Sequence, residues 1–278
     1  LASASHFGSF LIYKSIKPTK AEFNWKIDFY STNLELVKTY PFQLSKNFRL
    51  VKTFQNKVKS FFYFESKKSD YVVLELNHIS QEIERISGKF PKQGKPIEFK
   101  ILQNKLLIYY ERSDSHACKI IDFDSKTDVD ILFDLENFSG TYTKLSSMTI
   151  DSASQEVFFV LDCKNESSRL LTSLHYNLNG KYLKTYEISA LSDYYLHGPI
   201  VKKLDDGSYS FVGKYSKTYD NSTNDNGIYH SILSDTEILH FSLTPLSDLT
   251  LFARPERYNP KMDFSTGNVD VSIHEIIT

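Results

Sequence analysis

Cysteine is nearly absent from this 278-residue chain: Cys118 and Cys163 are the only two, which excludes a disulfide framework and any cysteine-rich zinc site. Neither has a local motif that marks a nucleophile, and a bridge between them needs Cα atoms within about 7 Å, closer than adjacent repeat units usually bring such positions. Glycine is scarce as well, at ten residues, and no glycine-rich loop that could cradle a phosphate occurs. No run approaches the roughly 18 apolar residues that a membrane-spanning helix needs. Charge of one sign is also missing. The 33 basic and 34 acidic side chains leave a net charge of -1, without the positive footprint of nonspecific nucleic-acid or anionic-membrane binding. The eight histidines are scattered without His-x-His or His-Glu-x-x-His spacing. The Gly-x-Ser-x-Gly elbow is missing, and the acidic stretch 220–227 fails the calcium-loop spacing. These absences predict no metal, no cofactor, no assignable catalytic residue, no nucleic-acid partner and no membrane span.

What the chain does have is aromatic residues of the strand-favouring kind, 18 Tyr and 21 Phe against one Trp and two Met. A hairpin recurs five times, an apolar strand turning tightly into a second, alternating strand. Its copies begin at Trp25, Tyr71, Lys119, Ser173 and Tyr229, and turn near 31–33, 77–78, 125–127, 179–180 and 234–235. Between them lies a second hairpin whose outgoing strand is aromatic-rich, as in Phe61-Phe62-Tyr63-Phe64 and Val157-Phe158-Phe159-Val160. Taking Leu50, Ile101, Ile150 and Val201 as equivalent gives spacings of 51, 49 and 51 residues. A period near fifty belongs to propeller-type repeats.

The fold predicted is therefore all-β: a single β-propeller-like domain over 1–278, of about five four-stranded antiparallel blades near 8–41, 48–88, 99–135, 147–188 and 199–243. A β-sandwich is the alternative, but it gives no reason for strand pairs to alternate at one period. Only one strand is visible before the first hairpin, so the first blade lacks its opening strand. The strand 269–277 either closes that blade or opens a further one in a longer propeller, and a chain beginning at Leu1 favours the excerpt. A short helix is expected over 245–254. Ala2-Ser3-Ala4 resembles a small-x-small cleavage site and points to export, to the periplasm or cell surface.

In an up-and-down meander alternate connections leave from opposite ends. Here one end carries tight turns and the other carries every long loop: 14–23, 41–48, 65–70, 87–98, 111–117, 135–147, 163–170, 188–199, 215–227 and 244–268. Loops on a rigid scaffold are where binding residues concentrate, so the long-loop end is the expected site. Its candidate ligand-binding residues are Phe90, Lys92, Tyr142, Tyr194, Tyr195 and His197, with Phe138 beside them. Aromatic groups with a few polar partners suit a protein or glycan ligand; their structural role would be to cap the core. His175 and His230 occupy matching positions in two repeats, as a structural slot would. Acids that could serve glycoside hydrolysis are Asp28, Asp122, Asp124, Asp151 and Asp162. Asp28 and Asp122 repeat in register, as solvent-facing positions do. Sequons stand at Asn137, Asn165 and Asn221.

The run Asp205-Asp206-Gly207-Ser208-Tyr209-Ser210-Phe211-Val212-Gly213, followed by Asn226-Gly227-Ile228-Tyr229, resembles a blade of uncharacterised exported bacterial β-propeller-like proteins. Leu174-His175-Tyr176-Asn177-Leu178-Asn179-Gly180-Lys181 is similar to their strand, Asn-Gly turn, strand unit. The resemblance implies architecture and no catalytic residue. Function is expected to be non-enzymatic binding or scaffolding through the long-loop end. The alternatives are a five-bladed, glycan-active enzyme and a purely architectural domain of a larger chain.

Overall fold

The computed structural model describes residues 2–5, 8–15, 21–55, 58–91, 94–111, 116–133, 141–164, 169–189, 194–217, 226–235 and 237–245. These residues are all-β, in five four-stranded antiparallel sheets whose strands follow one another in chain order, the blade unit of a propeller. Two compact units divide the chain, Leu1–Phe133 and Asp134–Thr278.

The first unit holds three sheets. The first is β1 (Ala2–Ser5), β2 (Gly8–Lys14), β3 (Glu22–Tyr30) and β4 (Leu36–Ser45). The second is β5 (Phe48–Gln55), β6 (Lys59–Ser66), β7 (Asp70–Asn77) and β8 (Ile83–Lys89), and the third is β9 (Lys95–Leu102), β10 (Lys105–Glu111), β11 (His116–Asp122) and β12 (Thr127–Leu132). The second unit holds β13 (Thr141–Asp151), β14 (Glu156–Lys164), β15 (Arg169–Asn177) and β16 (Tyr182–Ser189), then β17 (Tyr195–Lys203), β18 (Tyr209–Ser216), β19 (Gly227–Leu233) and β20 (Ile238–Pro245). Leu50, Ile101, Ile150 and Val201 fall in the opening strands β5, β9, β13 and β17, as the period requires. Separate four-stranded meanders replace the sandwich alternative.

Three expectations are corrected. The first sheet does have an opening strand, because Ala2–Ser5 pairs antiparallel with Gly8–Leu11. Its Ala-Ser-Ala-Ser sequence alternates only small side chains of weak hydropathy, too faint a signal to announce a strand. The long loops expected at 41–48 and 65–70 shrink to residues 46–47 and 67–69. Phe48 and Ser66 extend the strands into them, and Ser66 Oγ closes the second by accepting from the Lys68 and Asp70 amides at 3.1 and 3.2 Å. The strand expected at 269–277 and the helix beyond Pro245 lie outside the described residues, as do the three sequons.

The second and third strands of the second, third and fourth sheets are buried on both faces, as strands lying between two packed layers are. In β6, Phe61 and Tyr63 join a cluster with Leu106, Ile108 and Tyr110 of the third sheet. Phe62 and Phe64, on the other face, join Phe10, Trp25 and Ile27 of the first. β7 divides in the same way, Tyr71 and Val73 against Val72, Leu74 and Leu76. In the second unit Phe158, Val160 and Leu171 pack with Tyr209, Phe211, Tyr229 and Leu233. Each such side chain contributes about 1.5–3 kcal/mol by leaving water. Closing strands have one wet face, and β12 is exposed at nearly every position.

Two of the scarce glycines are placed where a tyrosine lies over them. Gly88 stands opposite Tyr71, and a Cβ there would meet the tyrosine hydroxyl at 2.3 Å. Gly213 stands opposite Tyr229, with 2.5 Å to the ring. The ring covers backbone that glycine leaves bare. Several tight turns do without glycine: Leu34, Gln81, Gln103, Lys126 and Gln155 take left-handed backbone at φ between 50° and 62°, a conformation that costs an L-residue about 1 kcal/mol.

Candidate functional site

At the end expected to bind, the candidates divide by unit. Phe90 belongs to the first unit and is core: its ring sits 5.3 Å from that of Tyr71 and 5.1 Å from that of Tyr110, and its amide donates to the Ser69 carbonyl. Beside it two exposed aspartates of β12 close over a buried lysine of β11. Lys119, with a side chain 4% exposed, places its ammonium 2.8 Å from Asp128 and 3.0 Å from Asp130. The hydroxyls of Tyr71 and Tyr110 donate to the same two carboxylates. Lys92 and Phe138 lie outside the described residues. Tyr142 pairs through its backbone with Cys163 in β13 and β14.

The structure gathers Tyr194, Tyr195 and His197 at the start of β17, all half-buried. Tyr194 meets the Tyr215 ring edge-on at 5.2 Å, and Tyr195 stands opposite Ser216. His197 Nε2 lies 2.9 Å from Ser216 Oγ. The β17–β18 register breaks between His197 and Ile200, a bulge with Gly198 at φ 50°. Two serines of β13 hold it: Ser146 Oγ accepts from the Gly198 amide at 2.9 Å, and Ser147 Oγ donates to the Pro199 carbonyl at 2.6 Å. Bulges of this kind re-aim side chains at strand ends.

The acids named for glycan chemistry hold the scaffold together. Asp28 is buried, against the expectation that it faces solvent, because Tyr13 and Thr39 on the two neighbouring strands donate to its two oxygens at 2.9 and 2.6 Å. Asp122 accepts from the Asp124 and Ser125 amides and pairs with Lys105, whose ammonium holds its carboxyl below the usual range. Asp124 accepts from Asn104 at 2.8 Å. Asp151 accepts from the Ala153 amide within its turn and from the Lys203 amide of β17. Asp162 is buried in β14. Both cysteines are buried free thiols, and burial pushes both above their ordinary range.

A groove of about 350 Å³ opens at the tight-turn end of the first unit, where no site was expected. Lys59, Glu75, Asn77, Glu82, Glu84, Asp124 and Lys126 are among the residues that line it, with Phe123. Strand alternation explains how charge arrives there. On the face of β7 that meets the third sheet, Tyr71 and Val73 are followed by Glu75; on the matching face of β6, Tyr63 and Phe61 are followed by Lys59. Lys59 Nζ reaches Glu75 Oε1 at 2.6 Å, with side chains 14% and 8% exposed. Glu75 Oε2 is buried with no hydrogen-bond partner.

No protein-family model matches the chain, and comparison with curated proteins finds no match. Among solved structures, a Synechocystis apocarotenoid oxygenase mutant is similar with 10% identity and a TM-score of 0.41, covering 87% of this chain and 63% of its own. The Dos1 propeller gives 8% identity and a TM-score of 0.42, covering 80% and 66%. The chain thus spans less than two thirds of the oxygenase. Likeness at this level carries no argument about chemistry, and the fold rests on the chain's own five sheets.

The histidines fill structural slots. His175 stands opposite Phe158 and is fully buried, with Nε2 3.0 Å from Ser173 Oγ. His230 Nε2 lies 3.0 Å from Ser210 Oγ, on the neighbouring strand β18. In the second sheet the residue opposite Phe61, the counterpart of Phe158, is Glu75. Sequence reasoning passed over that carboxylate. Its available signal was a charge interrupting the apolar run Tyr71-Val72-Val73-Leu74-Glu75-Leu76.

Proposed function

We propose that this chain is a non-enzymatic binding or scaffold domain that takes a protein or other ligand at its long-loop end through Tyr194, Tyr195 and His197. Phe90, Lys92 and Tyr142 remain proposed contact residues, each within its own unit. The observation that carries the reading is the serine-held bulge at His197–Ile200, which keeps two tyrosines and a histidine half-buried on rigid strands. Half-buried aromatics beside a polar ring make contact area at low entropy cost. Engagement of Asp28, Asp122, Asp124 and Asp151 in turns and ladders favours binding over glycoside hydrolysis, which needs two carboxyl groups about 5–10 Å apart and open to substrate.

The test is saturation-transfer NMR of the chain against a panel of oligosaccharides and aromatic peptides, repeated on the Tyr194→Ala, Tyr195→Ala, His197→Ala triple variant. Signals seen with the parent protein should vanish in the variant while its circular dichroism is unchanged. Any binding that survives all three substitutions removes the proposed placement.

A further inference from the structure

We propose that the groove at the tight-turn end of the second and third sheets binds an organic cation, a guanidinium or primary ammonium group, anchored on Glu75. This site lies in the first unit and is independent of the Tyr194 surface. Four carboxylates and two ammonium groups line it, Glu75, Glu82, Glu84 and Asp124 against Lys59 and Lys126, so its walls carry negative excess. Both lysines are committed: Lys59 pairs with Glu75 Oε1 at 2.6 Å and Lys126 with Glu84 at 3.3 Å. Glu75 Oε2 keeps no donor although the side chain is 8% exposed. A buried carboxylate oxygen without a donor is costly, and a ligand N–H that reaches it recovers that cost on binding.

A metal ion fits poorly. Among the described residues no three His, Cys, Asp or Glu side chains are placed to hold one. The Lys59 ammonium on the other oxygen opposes a compact second charge. A guanidinium spreads its charge over a plane of donors, which can serve Glu75 Oε2 while Glu82 and Glu84, both exposed on the rim, supply attraction from outside. The volume of about 350 Å³ accommodates such a head group with its alkyl stem. The cation could come from a free amine or from an arginine or lysine side chain of a partner polypeptide; both present the same chemistry to Glu75.

The experiment titrates the whole chain, followed by amide NMR, with agmatine, with a tri-arginine peptide and with butylurea, a neutral analogue of the guanidinium head and its stem. Agmatine or the peptide should shift amides of 75–84 and 123–126, and butylurea should not. Saturation by agmatine at the same concentration as the peptide identifies a free amine; tighter peptide binding identifies a polypeptide. Glu75→Gln should weaken binding at least tenfold. The exposed double variant Glu82→Gln, Glu84→Gln leaves the core untouched and should weaken it severalfold, with a shallower salt dependence. Absence of groove shifts with either cation, or equal affinity in parent and both variants, overturns the proposal.

Discussion

His175 makes the acid stability of the second unit predictable. Its imidazole is fully buried, with the rings of Phe158, Tyr209 and Tyr186 centred 4.6, 4.7 and 5.0 Å away. Nε2 is bonded to Ser173, while Nδ1 is buried without a partner. Burial, helped by the positive charges of Lys184 and Lys203, pushes its pKa from 6.5 down to about 3. The folded ring therefore stays neutral while the unfolded ring takes a proton below pH 6.5. Stability contributed by the neutral ring is fully present above 6.5 and falls with pH until about 3, by about 1.4 kcal/mol per pH unit. At pH 5 the loss is about 2 kcal/mol relative to pH 7.5. His175→Phe, combined with Ser173→Ala so that no hydroxyl is left without its partner, removes this dependence. Urea unfolding followed through amide exchange of β14 and β15 should show the parent losing about 2 kcal/mol against the double variant between pH 7.5 and 5. The imidazole Hε1 resonance of the folded parent should not titrate between pH 7.5 and 4.5. Parallel stability profiles, or a titration near 6.5 in the folded protein, would refute the burial argument.

Other expectations follow from the same kind of accounting. Neutralising both partners of Lys119, as Asp128→Asn with Asp130→Asn, strands a buried ammonium and should cost about 3–5 kcal/mol in urea unfolding. Lys119→Met should cost less, because the two aspartates are each 38% exposed and regain water. Gly88→Ala forces a methyl into the Tyr71 ring and should cost about 1–3 kcal/mol, and much of this should return with Tyr71→Leu in the same chain. Cys118 and Cys163, both buried, should react with an aromatic disulfide reagent only in denaturant; labelling of the native protein within seconds would contradict their burial.

The parts of the fold that hydrophobic period controls could be read from residues alone. Alternation in Phe61-Phe62-Tyr63-Phe64 and Tyr71-Val72-Val73-Leu74 is apolar on both faces, which only a strand between two layers tolerates, and the period near fifty says how often this recurs. Segments without that signal were lost or misjudged. Ala2–Ser5 is a strand by backbone pairing alone. The connection at 46–47 is short because β4 continues to Ser45, past the polar Gln43. Gln81 takes the left-handed turn position that Gly180 holds in the fourth sheet, and Gln103 and Gln155 lie in the turns where the fifth sheet has Gly207, so the usual turn residue was missing from the earlier repeats.

The role of a charged residue depends on the neighbour across the sheet or in the next layer, and neither is written in its own local sequence. Asp28 sits in an alternation that reads as solvent-facing, yet Tyr13 and Thr39 enclose it from the adjoining strands. Glu75 occupies the slot opposite Phe61 that His175 occupies opposite Phe158. In the second unit the slot holds a neutral ring surrounded by aromatics, and folding requires no counter-charge there. In the first unit the same slot holds a carboxylate, so Lys59 must come within 2.6 Å, and one oxygen still lacks a donor. Replacing Glu75 by a residue that needs no donor should therefore be stabilising or neutral only if Lys59 is replaced with it, as in Glu75→Leu with Lys59→Met, because either single change strands a buried polar partner. A double variant less stable than both singles would show that the pair holds β6 and β7 together beyond its own desolvation cost. One as stable as the parent would mean that the carboxylate is not required for folding, which is the condition under which the groove can be assigned to binding.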